Sequence, residues 1–321
     1  MKRTVLVTGA NGFVGGAVLE RLQTDSETSL IAVVRGNRKL STTAEVVRIE
    51  ELSSQTPWQS QLAGVDAIIH CASRVHVMND TEVDPLAAFR RVNVEGTINF
   101  AKQAAEAGVR RFIFISSIKV NGEGTAPGLP YTADDIPAPV DPYGVSKSEA
   151  EQGLRQLAKV AGMEVVIIRP VLVYGPGVKA NFLSMIRWLD RGIPLPFGAI
   201  DNRRSLVSID NLVDLIVTCI DRPAAANQTF LVSDGEDLST TALLSRMARS
   251  LGKPARLIPV PAWLLKSGAG ILGKAALSQR LCGSLQVDID KTRMLLKWAP
   301  PVSVDDALAK TARYFRANQV K

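Results

Sequence analysis

Short apolar runs recur along the first half of the chain, separated by longer segments of mixed polarity. The runs occupy residues 5–7, 30–34, 46–49, 67–71, 112–116 and 165–168. Continuous apolar runs of this length are typical of strands that are buried on both faces of a sheet. The segments between them, such as 15–22, 87–107 and 143–161, have apolar residues at helical spacing. The pattern therefore predicts strands that alternate with helices.

This alternation predicts an α/β protein with a doubly wound parallel sheet of the Rossmann type. The alternation lapses after Pro170, where loop-rich segments follow. We therefore expect one domain over residues 1–170 and a smaller C-terminal lobe over 171–321, which would bind the substrate. An apolar run at 228–233 has the pattern of a further strand, so we expect about 205–233 to return to the main sheet.

A glycine-rich turn connects the first predicted strand to the first helix. Glycines at such a turn let the backbone approach a pyrophosphate, whose charge is held by the free N–H groups of the helix start. The alternative is an ordinary strand-to-helix turn, but its position directly after an apolar strand favours an NAD(P)-binding domain. The residues expected to contact the cofactor here are Gly9, Asn11, Gly12, Phe13 and Val14.

The end of the second predicted strand bears on the choice of cofactor. An acidic residue at this place normally holds the ribose 2′-hydroxyl of NAD. The strand ends instead at Arg35, followed by Arg38 and Lys39. A guanidinium matches phosphate geometry, so NADP(H) is favoured, with NAD(H) possible and a solvated basic loop as the alternative.

Two further segments are expected to line the adenine and ribose of the cofactor. They follow the third and fourth predicted strands, whose carboxyl ends lie at the edge where open α/β sheets bind ligands. The residues are Glu51, Leu52, Cys71, Ala72 and Ser73.

A tyrosine and a lysine four residues apart form the candidate catalytic pair. Asp141 and Pro142 predict a helix start, and Tyr143 and Lys147 then lie on one face of that helix. A nearby ammonium stabilises a phenolate, which makes a phenol usable for proton transfer near neutral pH. A serine at the end of the fifth strand, Ser116 or Ser117, could bond the substrate oxygen.

Several motifs together resemble those of the extended short-chain dehydrogenase/reductases, within the NAD-dependent epimerase/dehydratase family. The resemblance implies that Ser117 orients the substrate oxygen, that Tyr143 relays a proton, and that Lys147 also holds the nicotinamide ribose. It further implies that Asn93 supports the site through its helix and that Pro170 borders the nicotinamide. The motifs span residues 8–15, 70–73, 93–97, 116–117, 143–147 and 169–176.

The second half of the chain resembles the branch of this family that acts on nucleotide sugars. The resemblance assigns Asn181 and Arg204 to the diphosphate and Phe197 to the uracil. Pairing of Arg204 with loop carbonyls or carboxylates is the structural alternative. A guanidinium close to a pyrophosphate is physically reasonable.

Residues 187–198 and 202–207 show a more specific likeness, to reductases of bacterial surface polysaccharide synthesis. It implies NADPH-dependent reduction of the C4 keto group of a UDP-4-keto-6-deoxy-N-acetylhexosamine, giving UDP-N-acetylfucosamine or UDP-N-acetylquinovosamine. The main alternative is a UDP-sugar 4-epimerase with bound NAD. A reductase of a non-carbohydrate ketone and a non-catalytic NAD(P) sensor are further alternatives.

Composition narrows the expected partners. The 321 residues carry a formal net charge of +7, but aromatic residues make up only 5% and no nucleic-acid-binding signature is present. We therefore expect a UDP-sugar substrate, no nucleic acid, no stable membrane insertion and, from the resemblance, a homodimer. Residues 262–280 could touch a membrane surface, although lid or core packing is favoured.

Cysteine and histidine usage favours a cytoplasmic protein without a metal site. Cys71, Cys219 and Cys282 have neither paired nor metal-ligand spacing, and we expect them to be reduced and buried. His70 and His76 fit no metal site either, so both are expected to be structural.

Overall fold

A seven-stranded parallel sheet forms the centre of the computed structural model, which describes residues 2–36, 40–75, 84–126, 128–271, 279 and 281–319. Its strand order is β3-β2-β1-β4-β5-β6-β9, and a smaller sheet has the order β10-β8-β7. The strands are β1 Arg3–Thr8, β2 Thr28–Arg35, β3 Glu45–Ile49, β4 Ala67–His70, β5 Arg111–Ile115, β6 Glu164–Pro170, β7 Leu172–Tyr174, β8 Arg204–Ser208, β9 Thr229–Val232 and β10 Asp237–Leu238.

Helices cover both faces of the large sheet and build most of the second lobe. A π-helical segment, Arg91–Gly96, joins α3 to α4, and short 3₁₀ turns occur at Ile118–Val120 and Pro223–Ala225. The helices are α1 Phe13–Leu22, α2 Gln59–Leu62, α3 Pro85–Arg90, α4 Thr97–Glu106, α5 Pro142–Ala161, α6 Ala180–Asp190, α7 Ile209–Asp221, α8 Thr240–Ser250, α9 Ala262–Ile271, α10 Asp290–Leu296 and α11 Val304–Gln319.

The strands read as continuous apolar runs because each contributes side chains to two cores. In β1, Val5 and Val7 pack in the core on one face of the sheet, whereas Leu6 packs in the core on the other. Neighbouring strands of the large sheet are all parallel. The six predicted strands and the doubly wound sheet are therefore confirmed.

The second lobe is joined to the large sheet through β8. Strand β9 pairs with β6, so the apolar run at 228–233 does return to the main sheet. Strand β8 pairs instead with β7 and β10 in the small sheet, so the expected return was wrong for Arg204–Ser208. Its Val207 packs in the core of the large sheet and its Leu206 in the core of the second lobe. The strand thus binds the two cores together.

His70 at the end of β4 is a buried structural residue, as the sequence predicts. Its Nδ1 lies 2.8 Å from Thr8 Oγ1 and its Nε2 lies 3.0 Å from Thr97 Oγ1. Burial, together with the positive charge of Lys147, lowers the pKa of His70 to about 3. The imidazole is therefore neutral at physiological pH. His76 lies outside the described residues.

We predict that His70 contributes to acid destabilisation. The unfolded chain takes up a proton at this imidazole near pH 6.5, whereas the folded chain does so only near pH 3. The free energy of unfolding should therefore fall as the pH drops through that window. In His70→Gln this titration is absent, so urea unfolding at a series of pH values should give a flatter slope between those limits. Identical slopes in the two proteins would contradict the prediction.

Candidate active site

The glycine-rich turn between β1 and α1 is packed too closely against neighbouring backbone to accept side chains at Gly9 and Gly15. Gly9 has φ +65°, and a Cβ built on it would lie 2.8 Å from the Ala72 amide nitrogen. A Cβ on Gly15 would lie 2.3 Å from the Gly9 carbonyl oxygen. Gly12 precedes α1 without a side-chain cap, so the first N–H groups of the helix are open to an anion. These features fit the cofactor that the sequence predicts.

The other residues predicted to contact the cofactor at this turn differ in how far their side chains are exposed. Asn11 is exposed beside Gly12, while Phe13 and Val14 pack partly against the core of the large sheet. A substitution at Phe13 or Val14 would therefore disturb packing as well as any cofactor contact.

The residues predicted to meet the adenosine half of the cofactor lie at the carboxyl ends of β2, β3 and β4. Arg35 ends β2 and is exposed, whereas Arg38 and Lys39 lie outside the described residues. Glu51 is exposed, and Leu52 is buried where its backbone meets the helix segment at Gly96. The strand ends therefore line one edge of the sheet, as a dinucleotide site requires.

Cys71, Ala72 and Ser73 follow β4 at the same edge. All three are partly exposed, and the Ala72 amide donates a hydrogen bond to Thr8 Oγ1 over 3.2 Å. The expected burial of the cysteines is therefore wrong for Cys71, because the chain turns out of the sheet at this residue. Cys219 and Cys282 are buried, and no disulfide joins the three.

Helix α5 carries the predicted pair and begins as its sequence predicts. The Asp141 carboxylate accepts a hydrogen bond from the Gly144 amide over 2.7 Å, and Pro142 is the first helical residue. The buried Lys147 Nζ donates to the Ile115 carbonyl over 2.9 Å. It lies 6.0 Å from the centre of the Tyr143 ring. The pair is thus held against the end of β5.

Burial shifts the pKa values of the pair in opposite directions. It raises the pKa of Tyr143 to about 12, although a hydrogen bond with Ser73 opposes the rise. It lowers the pKa of Lys147 to about 8, although Cys71 and Glu151 oppose the fall. A buried phenol of this kind ionises with difficulty, so a neighbouring ammonium favours its phenolate. Lys147 supplies that charge while it is protonated.

Asn93 connects the loop after β4 to α5. Its Nδ2 donates to the Arg74 carbonyl and to Ser146 Oγ, each over 3.0 Å. Its Oδ1 accepts hydrogen bonds from Ser73 Oγ and from the Arg74 amide. Asn93 lies in the π-helical segment, and such segments occur frequently at functional sites. These bonds fit the supporting role that the resemblance implies.

The two serines after β5 have different environments. Ser116 is buried, and its Oγ donates to Glu151 Oε1 over 2.6 Å. Ser117 is partly exposed, and its Oγ accepts a hydrogen bond from the Lys119 amide over 3.3 Å. Because the Ser116 hydroxyl is occupied in the interior, the geometry favours Ser117 as the serine that meets a substrate.

The sequence did not predict the buried network of polar side chains that lies behind Tyr143 and Lys147. The Glu151 carboxylate pairs with Arg169, with Nε to Oε1 at 2.9 Å and Nη2 to Oε2 at 2.6 Å. Arg169 Nη1 donates to Asn121 Oδ1 over 2.9 Å. The available signal was spacing, since Tyr143, Lys147 and Glu151 follow one another at intervals of four on one helix face.

Pro170 lies beside the serines at the edge of the sheet. It ends β6, next to the buried Arg169, and the Ser116 amide donates to the Ile168 carbonyl over 2.7 Å. The ends of β5 and β6 are thus side by side, and Ser117 and Pro170 continue from neighbouring strands.

The three predicted substrate contacts lie on separate elements of the second lobe. Asn181 is exposed in the first turn of α6, and Phe197 is partly buried, with its carbonyl accepting a hydrogen bond from Thr241 Oγ1. Arg204 begins β8, and its Nη1 donates to the Gly283 carbonyl over 3.0 Å. This contact is the loop-carbonyl alternative for Arg204.

Clusters of metal-ligating side chains and membrane-spanning helices are both absent from the described residues. Among them no group of three or more histidine, cysteine or acidic side chains could hold a metal ion. Within the same residues, no helix is long and apolar enough to cross a membrane.

Comparison with known proteins identifies the relatives of this chain. The model of the "NAD dependent epimerase/dehydratase family" matches residues 5–233. A UDP-glucose 4-epimerase of Vibrio cholerae is 50% identical over 316 residues, which are 98% of this chain and 96% of the relative. A UDP-glucose 4-epimerase of Mycolicibacterium smegmatis is 30% identical, over 97% of this chain and 98% of the relative.

Solved structures share the same fold. MoeE5 in complex with UDP-glucuronic acid and NAD is 24% identical and has a TM-score of 0.78, over 98% of this chain and 99% of that chain. The two epimerase relatives support the epimerase alternative better than the expected reductase. None of these comparisons supports the expected preference for NADP.

The lowered pKa of Lys147 predicts an alkaline limit to turnover. Above about pH 8 Lys147 loses its proton, and the phenol of Tyr143, with a pKa of about 12, loses the charge that favours its ionisation. We expect kcat/KM, which reports groups of the free enzyme, to fall as pH rises through that value. Circular dichroism at each pH would exclude unfolding as the cause. A kcat/KM that stays constant to about pH 10, near the ordinary pKa of lysine, would contradict the prediction.

Substitution of Glu151 should destabilise the protein strongly. In Glu151→Gln the buried guanidinium of Arg169 loses its counter-charge, which should lower the free energy of unfolding by about 3 kcal/mol or more. Glu149 lies on the same helix and pairs with Arg90 at the surface, so Glu149→Gln is the matched control. We expect the control to change stability by less than about 1 kcal/mol in urea unfolding. Equal effects of the two substitutions would contradict the assigned role.

Proposed function

Because the chain belongs to the NAD dependent epimerase/dehydratase family, we propose that it is a UDP-sugar 4-epimerase that retains NAD through turnover. The observation that carries the proposal is the 50% identity, along almost the whole chain, to a UDP-glucose 4-epimerase. The expected reduction of a UDP-4-keto-6-deoxy-N-acetylhexosamine shares the same catalytic groups and is the competing function.

The proposed cofactor site consists of the edge of the large sheet. The turn from Gly9 to Gly15 would hold the pyrophosphate against the start of α1, and Arg35 and Glu51 would lie near the adenosine. Lys147 would hold the nicotinamide ribose and Pro170 would border the nicotinamide. The chemistry that NAD would supply there is reversible hydride transfer at C4 of the sugar.

Tyr143 is the proposed acid and base. Its phenolate would take the proton of the C4 hydroxyl as that carbon is oxidised, and its phenol would return the proton as the hydroxyl forms again. The Lys147 ammonium would stabilise the phenolate in a site where burial otherwise raises the pKa of Tyr143. Ser117, whose hydroxyl is partly exposed, would donate a hydrogen bond to the C4 oxygen.

Inversion at C4 requires the second lobe to keep the UDP bound while the sugar turns. The oxidised sugar must present its opposite face before the hydride returns. Asn181 and Arg204 are the proposed diphosphate contacts and Phe197 the proposed uracil contact. We also propose that the enzyme works in the cytoplasm and as a homodimer.

The direct test is conversion without added cofactor. The purified protein should convert UDP-glucose to UDP-galactose, or UDP-N-acetylglucosamine to its C4 epimer, and Tyr143→Phe should lower kcat by at least about a hundredfold. Nucleotide released from the denatured protein should be NAD. Consumption of NADPH only when a 4,6-dehydratase supplies the keto sugar, with no direct epimerisation, would overturn the proposal in favour of the reductase.

A further inference from the structure

The net charge of this protein comes from one segment that lacks acidic residues. Of the 38 basic and 31 acidic residues of the chain, seven basic and no acidic ones lie between 238 and 287. The rest of the chain therefore carries equal numbers of positive and negative side chains. The same segment contains α9.

Helix α9 has an apolar sequence but no buried side chain among those that the structure describes. Trp263 is 66% exposed and Leu264 is 45% exposed, and Ile258, which precedes the helix, is 50% exposed. A ten-residue helix of this kind is marginal in water without a surface to pack against. Large exposed apolar side chains that lie close together also mark interaction sites on soluble proteins.

The segment that leads into α9 is attached to the second lobe by backbone hydrogen bonds. The Leu195 amide donates to the Arg256 carbonyl over 2.9 Å, and the Ile258 amide donates back to the Leu195 carbonyl over 2.8 Å. The Gly198 amide donates to the Ile258 carbonyl over 2.9 Å. The backbone of Ile258 is therefore held between Leu195 and Gly198, four residues before α9 begins.

Basic side chains lie close to the exposed apolar ones in the sequence. Lys253, Arg256 and Lys266 are exposed, and no carboxylate of the described residues forms an ion pair with any of them. Arg246, on α8, differs because it pairs with Glu236 and Asp305. Lys266 lies three residues after Trp263, so the two share one face of α9.

We propose that this basic apolar patch, formed by Ile258, Trp263 and Leu264 with Lys253, Arg256 and Lys266, binds the surface of an anionic lipid bilayer. Tryptophan and leucine insert at the level of the headgroups, and lysine and arginine attract anionic lipids, each strengthening binding roughly fivefold. A second copy of the chain fits the patch poorly, because two positive faces would meet. The contact is peripheral.

Vesicle sedimentation tests the proposal with the full chain. The protein should bind vesicles of phosphatidylcholine and phosphatidylglycerol in equal parts at least tenfold more tightly than vesicles of phosphatidylcholine alone. Raising the salt concentration to about 1 M, where the Debye length is roughly 3 Å, should release most of the bound protein. Equal binding to the two kinds of vesicle, or no binding to either, would overturn the proposal.

Matched variants separate the patch from the overall charge. Lys253→Glu/Arg256→Glu/Lys266→Glu should lower binding by more than tenfold, and so should Trp263→Ala/Leu264→Ala. Lys102→Glu/Lys159→Glu/Arg313→Glu changes the net charge equally at exposed residues elsewhere and should bind as the unaltered protein does. Thermal melting of each variant would show that the fold is kept. Equal losses in the two charge variants would overturn the proposal.

A second readout distinguishes lipid contact from self-association. In a Trp188→Phe background, tryptophan fluorescence should shift to shorter wavelength when anionic vesicles are added, because Trp263 leaves water. Sedimentation velocity without lipid should give the same oligomeric state for the unaltered protein and for Trp263→Ala/Leu264→Ala. A loss of oligomers in that variant, with no fluorescence shift, would assign the patch to contact between copies and overturn the lipid proposal.

Discussion

The buried carboxylate of Glu151 is the interaction on which the arrangement of the site depends. It binds Ser116 at the end of β5 and Arg169 near the end of β6, and it lies one helical turn beyond Lys147 on α5. Ser117 and Pro170 each follow a residue that this carboxylate holds. A buried ion pair contributes little net stability compared with an apolar replacement, because both charges lose their water. Its value here is positional, since it fixes three elements relative to one another.

Burial around this network also shifts the protonation of the candidate catalytic pair, Tyr143 and Lys147. In water a tyrosine and a lysine have similar pKa values, near 10. In this site burial raises the pKa of Tyr143 and lowers that of Lys147, because the charged form of each loses hydration. The negative charge of Glu151 opposes the fall for Lys147. The same carboxylate therefore holds the ends of β5 and β6 and favours the protonated form of Lys147.

The sequence predicted most of the large sheet and the pair on α5, because those features depend on local pattern and capping. It misassigned β8, because the sheet that a strand joins depends on partners such as β7 and β10 that are distant in sequence. It missed Glu151, because a carboxylate on a helix usually indicates a solvated face. The sequence did not predict the basic patch either, because basic residues are spread along the whole chain. Residues 238–287 differ from the rest only in having no acidic residues. Reductases and epimerases of this family share Ser, Tyr and Lys, so these residues alone could not decide between the two functions.

The proposed epimerisation requires that hydride leaves C4 of a UDP-sugar and returns to the same carbon within one enzyme molecule. The most direct measurement uses UDP-glucose that carries deuterium at C4, incubated with the purified protein in ordinary water without added cofactor. We expect UDP-galactose that retains the deuterium at C4, as seen by mass spectrometry and NMR. Loss of the deuterium to solvent, or its appearance in free nicotinamide cofactor, would contradict it.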